Sequence, residues 1–141
     1  MTQTITDGRI RPARAVRLRR TGTLVGAAIL ALAAWTISSP ILGVDLVAGA
    51  GPSAQHIGPA AVAIVPIMVG GAAWVLLAVL EKAGSTGRRI WQIVGWIFLA
   101  ASLAGPITMS TSFGALIALI VMHLVVGVAL LLGLVSAGRN A

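Results

Sequence analysis

The chain has 141 residues, of which 58% are hydrophobic and 9% charged, with a formal net charge of +7. A soluble domain carries about a quarter charged residues, so this composition excludes a water-exposed globule and makes the bilayer the natural solvent. Cysteine is absent, which excludes a disulfide framework, a thiol nucleophile and a cysteine-ligated metal or cluster.

Residues 1–20 form a polar, basic tail, and Pro12 is expected to interrupt any helix through it. Six of the ten cations fall between Arg9 and Arg20. Arg14, Arg17, Arg19 and Arg20, interleaved with Ala15, Val16 and Leu18, predict a lipid-facing basic cluster in a mobile segment. Such a cluster attracts anionic headgroups at about 1 kcal/mol per cation and fixes topology, so no nucleic-acid partner is needed to explain the charge.

The first apolar run, about 23–42, reads as a membrane span. Ala27, Ala31, Ala34 and Ser38 share one helical face and allow close approach of another helix in lipid. Pro40 and Gly43 mark its outer end. Ala48-Gly49-Ala50 resembles a signal-cleavage site, but the apolar run is too long for a signal-peptide core and Pro40 lies well before that site. The span is therefore expected to be retained. The outer segment 43–58 holds Asp45, Gln55 and His56, contains no Lys or Arg, and is long enough to fold back over the helix ends.

A second span is expected over about 59–80, opened by Pro59 and kinked at Pro66. The short inner turn carries Glu81, Lys82, Arg88 and Arg89, which predicts an interfacial ion pair and an antiparallel hairpin. The last uncharged run, 90–138, holds 49 residues. As one helix it would reach about 74 Å against a hydrocarbon core of about 30 Å, so it must turn back once. Gly105–Pro106 and the hydroxyl-rich 108–112 stretch place that turn, giving spans of about 90–106 and 113–135. Trp91 is expected as an interfacial anchor; Trp35, Trp74 and Trp96 are expected within helix interfaces. All ten Lys and Arg residues then fall on one side, which predicts both termini cytoplasmic.

His123 is the one ionisable side chain deep in a span. It is expected to be neutral and to bond to a neighbouring helix, with Gly127 leaving room for the approach. It could pack, or it could serve a proton or ligand path, and Ser102 or Thr36 beside it in a wet cavity would favour the path. The lack of an intramembrane carboxylate favours packing. Asp45 with His56 falls short of the three or four ligands a metal site needs, so Asp45 is expected to order its loop by accepting backbone hydrogen bonds. No HExxH, GxSxG or phosphate-cradling glycine motif is present, and no catalytic residue, cofactor or metal is expected.

Four stretches carry a resemblance: Gly43-Val44-Asp45-Leu46, Gly58-Pro59, Leu103-Ala104-Gly105-Pro106 and Met122-His123-Leu124-Val125-Val126. In their order and spacing, over about residues 20–135, the chain resembles a family of small four-span membrane proteins of actinobacteria without an assigned activity. The resemblance implies a bacterial plasma membrane and no mechanism. The expected architecture is an all-α, four-transmembrane-helix bundle over 21–138 behind a cytoplasmic tail. Three roles fit it: a non-enzymatic helix-packing or accessory protein that binds itself or a membrane partner, a minimal transporter or channel component with a polar path at His123, and a membrane enzyme or cofactor protein using His123, Asp45 and His56.

Overall fold

The computed structural model describes residues 11–49 and 51–139, and over these the chain is predominantly helical. The expectation for residues 1–10 lies outside the described residues. Helix α1 is Arg11–Thr36, α2 Pro59–Leu80, α3 Gly84–Ser102, α4 Ala104–Met109 and α5 Phe113–Arg139. Among the described residues, three stretches are long and apolar enough to cross a membrane: Arg14–Ile41, Pro59–Met109 and Phe113–Ala137.

The 51 residues of the middle stretch do not run straight. A tight turn at Glu81–Ala83 leads into Gly84, whose φ of 65° lies in the left-handed region that glycine tolerates. The chain then doubles back, and Trp91 Nε1–H donates to the carbonyl of Ala73 at 3.2 Å. Gly87 is buried against the Leu80 carbonyl, where no side chain would fit. Helices α2 and α3 are therefore an antiparallel hairpin.

The remaining helices alternate in direction. Leu24 of α1 packs on Gly70 of α2, and Thr23 on Gly133 of α5. Leu131 meets Gly95 of α3, and Leu99 meets Gly127 of α5. The order around the ring is thus α1, α2, α3, α5. Ala27 and Ala31 of the expected small-residue face are 1% and 2% exposed, so that face is where α1 meets its neighbours. Leu24, Ala27 and Leu130 fill the middle, Ala31, Val62, Ala115, Leu119 and Met122 the end beneath the 43–58 segment (the outer end in the expected topology), and Leu77, Trp91, Leu134 and Val135 the end at the Glu81 turn (the inner end in that topology). Large apolar side chains such as Ile29, Met68, Val75, Ile93 and Ile97 point outward, more apolar surface than a water-soluble monomer sustains.

Hydroxyls inside the helices bond to their own backbone. Thr21 donates to Arg17, Thr36 to Leu32, Thr108 to Ala104 and Ser136 to Gly133. In a medium without water this satisfies polar groups locally.

The outer segment folds back over the bundle. A π-helical turn, Ile37–Ile41, holds Pro40, and Gly43 has a φ of 67°. Strands β1 (Val47–Ala48) and β2 (Gln55–His56) pair antiparallel, Val47 opposite His56. Gly49 N–H donates to the Met109 carbonyl at 3.1 Å, joining the hairpin to the end of α4. Leu46 drops into the outer core at 3% exposure, and Trp35 Nε1–H holds the Ile57 carbonyl at 2.8 Å. Ser112 caps α5 by accepting from Ala115 N–H at 3.1 Å.

Several expectations are corrected. Helix α1 begins at Arg11, ahead of the expected start, because a proline within the first helical turn removes no needed hydrogen bond. The turn expected over Gly105–Pro106 and 108–112 is found in its second part alone, and at Gly105–Pro106 the chain does not reverse. It breaks for one residue at Leu103, because Pro106 has no N–H for the Ser102 carbonyl four residues back and its ring crowds that group. The helix then resumes to Met109, and the reversal falls at Ser110–Ser112. Trp91 is not an interfacial anchor but 3% exposed in the inner core, while Trp96 is 48% exposed rather than packed between helices.

Candidate functional site

The core is interrupted by a cavity of about 760 Å³ bounded by α2, α3 and α5. Val65, Val69 and Leu76 of α2 and Val94 and Phe98 of α3 line it and are also exposed, so it opens sideways between those helices. Its walls are aliphatic and aromatic apart from three side chains bearing a polar atom: Trp91, Ser102 and His123.

His123 does not reach another helix. Its Nδ1 lies 2.8 Å from the carbonyl of Leu119, one turn back in α5. A carbonyl only accepts, so Nδ1 carries a proton, and in the neutral imidazole Nε2 is then an acceptor. In an apolar surrounding the helix's own backbone is the nearest partner, which is why the ring turns along α5. Gly127 has the expected role, since a Cβ there would overlap Leu99 of α3. Ser102 joins His123 on the cavity wall, and its hydroxyl donates to the Leu99 carbonyl at 2.7 Å. Thr36 is exposed and bonds within α1.

Asp45 and His56 come together on the outer hairpin, with His56 Nδ1 3.3 Å from Asp45 Oδ1. Both side chains are largely exposed, at 76% and 79%. The Asp45 carboxylate thus meets the imidazole across the β1–β2 turn, where backbone donors were expected. Among the described residues no group of three His, Cys, Asp or Glu could hold a metal ion. Water screens an exposed pair, so Asp45→Asn is expected to change the thermal unfolding free energy by about 0–1 kcal/mol. A loss of several kcal/mol would show that the hairpin depends on this contact.

At the opposite end, Arg20 leaves the basic cluster. Its side chain is 5% exposed and its Nη2–H donates to Glu81 Oε1, which links α1 to the α2–α3 turn. Glu81 was expected to pair with its sequence neighbours Lys82, Arg88 and Arg89, all of which are exposed. Arg14, Arg17 and Arg19 are exposed as a lipid-facing cluster requires, but Arg20 is not. Arg20 Nε is buried without a partner. Sequence reasoning missed this pair because 61 residues separate its members.

The candidate residues do not form one site: Asp45 and His56 pair with each other on the exposed hairpin, and His123 lines the cavity. The model of a family described as a family of unknown function (DUF6069) matches residues 11–140. No curated protein and no solved structure matches the chain.

Proposed function

We propose that this chain, which belongs to the DUF6069 family of unknown function, is a multi-pass membrane protein acting as a non-enzymatic accessory component that packs against itself or another membrane protein. It crosses the bilayer four times, with the basic segment up to Arg20 and both termini in the cytoplasm of a bacterial cell, and it resides in the plasma membrane.

One observation carries this reading. The α2–α3 hairpin places the turn bearing Lys82, Arg88 and Arg89 at the same end as Arg14, Arg17 and Arg19, because Arg20 bonds to Glu81. Cations gathered at one end of an apolar bundle are retained in the cytoplasm. The exposed members of the cluster then lie where anionic headgroups attract them. An outward surface rich in Ile, Val, Leu and Met supports packing against lipid or a partner helix.

A second reading, a minimal transporter or channel component, is favoured by Ser102 and His123 sharing one cavity. The apolar walls argue against a continuous path for an ion, whose desolvation there would be costly.

Purification in a mild detergent, with identification of copurifying proteins and measurement of particle mass, tests the accessory role. A stoichiometric membrane-protein partner or a defined homo-oligomer is expected. A stable monomer without any partner would contradict it.

A further inference from the structure

We propose that the cavity between α2, α3 and α5 binds a neutral lipophilic molecule bearing a hydroxyl that donates its hydrogen bond to His123 Nε2. The three polar side chains on the wall decide the chemistry of the ligand. Trp91 N–H is committed to the Ala73 carbonyl, the Ser102 hydroxyl to the Leu99 carbonyl and His123 Nδ1–H to the Leu119 carbonyl, at 3.2, 2.7 and 2.8 Å. Every side-chain donor is therefore used internally. What remains is His123 Nε2 and the lone pairs of Ser102 Oγ, which are acceptors only. A ligand that merely accepts would leave its own polar group unsatisfied, whereas a hydroxyl donates and completes the site. Charge is excluded by the apolar walls.

Size and access agree with such a molecule. A volume of about 760 Å³ lies within the range of roughly 300–1,000 Å³ found for small-molecule sites. Ser102 and Trp91 are eleven residues apart on α3, about 16 Å along the axis, so a hydroxyl held at the Ser102 and His123 end leaves room for a chain of roughly a dozen carbons toward Trp91. The side opening between α2 and α3 faces the region where hydrocarbon lies in the membrane reading, on which the route of entry rests. An isoprenoid alcohol and a hydroquinone share the required chemistry.

The test uses the full chain reconstituted in phosphatidylcholine vesicles, with Trp35, Trp74 and Trp96 replaced by Phe so that Trp91 alone reports. The probe is ω-bromoundecanol, whose bromine quenches a nearby indole. Its methyl ether lacks the donor, and His123→Phe removes the accepting nitrogen. Saturable quenching by the alcohol is expected, with half-saturation about 2- to 10-fold weaker for the ether and for the alcohol with His123→Phe, the size of one net hydrogen bond. Ether and alcohol should not differ once His123 is Phe. Quenching that rises linearly with probe in the membrane, equally for both probes and both proteins, would overturn the proposal and mean that ordinary lipid fills the space. Saturable quenching without discrimination between alcohol and ether would overturn it equally. If the three tryptophan replacements prevent folding, the same four combinations are read by thermal unfolding with the original tryptophans, where only the alcohol with His123 present should give the full stabilisation. Flotation of the protein with the vesicles reports membrane insertion separately, so failure of the membrane reading is distinguishable from failure of this one.

Discussion

Glu81→Ala is expected to destabilise the protein by about 3 kcal/mol, the low end of the range for breaking a buried ion pair. The side chain of Arg20 is 5% exposed and its Nε already lacks a partner, so removing Glu81 strands a guanidinium away from water. Glu81 is 31% exposed, which moderates the loss. The same exposure predicts an asymmetry. Arg20→Met leaves a carboxylate that reaches water and replaces the cation with an apolar side chain of similar reach, costing about 1 kcal/mol. Combining Arg20→Met with Glu81→Leu should recover most of the stability, as apolar replacement of buried pairs often does. Thermal unfolding of the four proteins in one detergent checks the order. A milder effect for Glu81→Ala than for Arg20→Met would show that Arg20 finds another partner or reaches solvent.

Gly87→Ala is expected to cost about 3 kcal/mol, the upper end for inserting a methyl group where there is no room. The added Cβ would overlap the carbonyl oxygen of Leu80, a backbone atom that cannot rotate aside, so the α2–α3 hairpin itself must open. Gly95→Ala meets only the flexible end of Leu131 and should cost about 1 kcal/mol through a rotamer shift. Gly71 has nothing within 4 Å of an added Cβ, so Gly71→Ala should be neutral or slightly stabilising, since alanine is the better helix former. The ranking is checked by unfolding midpoints measured in parallel. Equal midpoints for Gly87→Ala and Gly71→Ala would contradict the tight packing of the hairpin.

The helices were readable because their causes are local. Long uncharged runs, Pro59 at a helix start, and Pro40 with Gly43 at a helix end act within a few residues, and their positions agree with the structure. The small face of Ala27 and Ala31 was equally visible, since helical periodicity alone groups those residues. Other features depend on partners distant in sequence. Nothing near Arg20 indicates that it turns inward to Glu81, and the proximity of Lys82, Arg88 and Arg89 pointed to the wrong cation. Trp91 looks like an interfacial anchor until the hairpin closes and brings Ala73 within reach. For His123, depth correctly implied a hydrogen bond but not which carbonyl accepts it. A helix offers a carbonyl four residues back at no cost in new contacts, and the ring took it. The cavity left no sequence signal, because its walls are the same Val, Leu and Ala that fill the packed regions.

The proposed four crossings are tested most directly by labelling. The chain has no cysteine, so single substitutions at the exposed positions Ala54, Ser85 and Thr111 give unambiguous sites for a membrane-impermeant maleimide. In intact cells Ala54→Cys and Thr111→Cys should both label, and Ser85→Cys should label only after permeabilisation, because in the proposed arrangement the stretch Pro59–Met109 crosses, turns at Gly84 and returns. Labelling of Ser85→Cys from outside would contradict the proposed orientation, and labelling of only one of Ala54→Cys and Thr111→Cys would contradict the four crossings and require that stretch to pass through the membrane once.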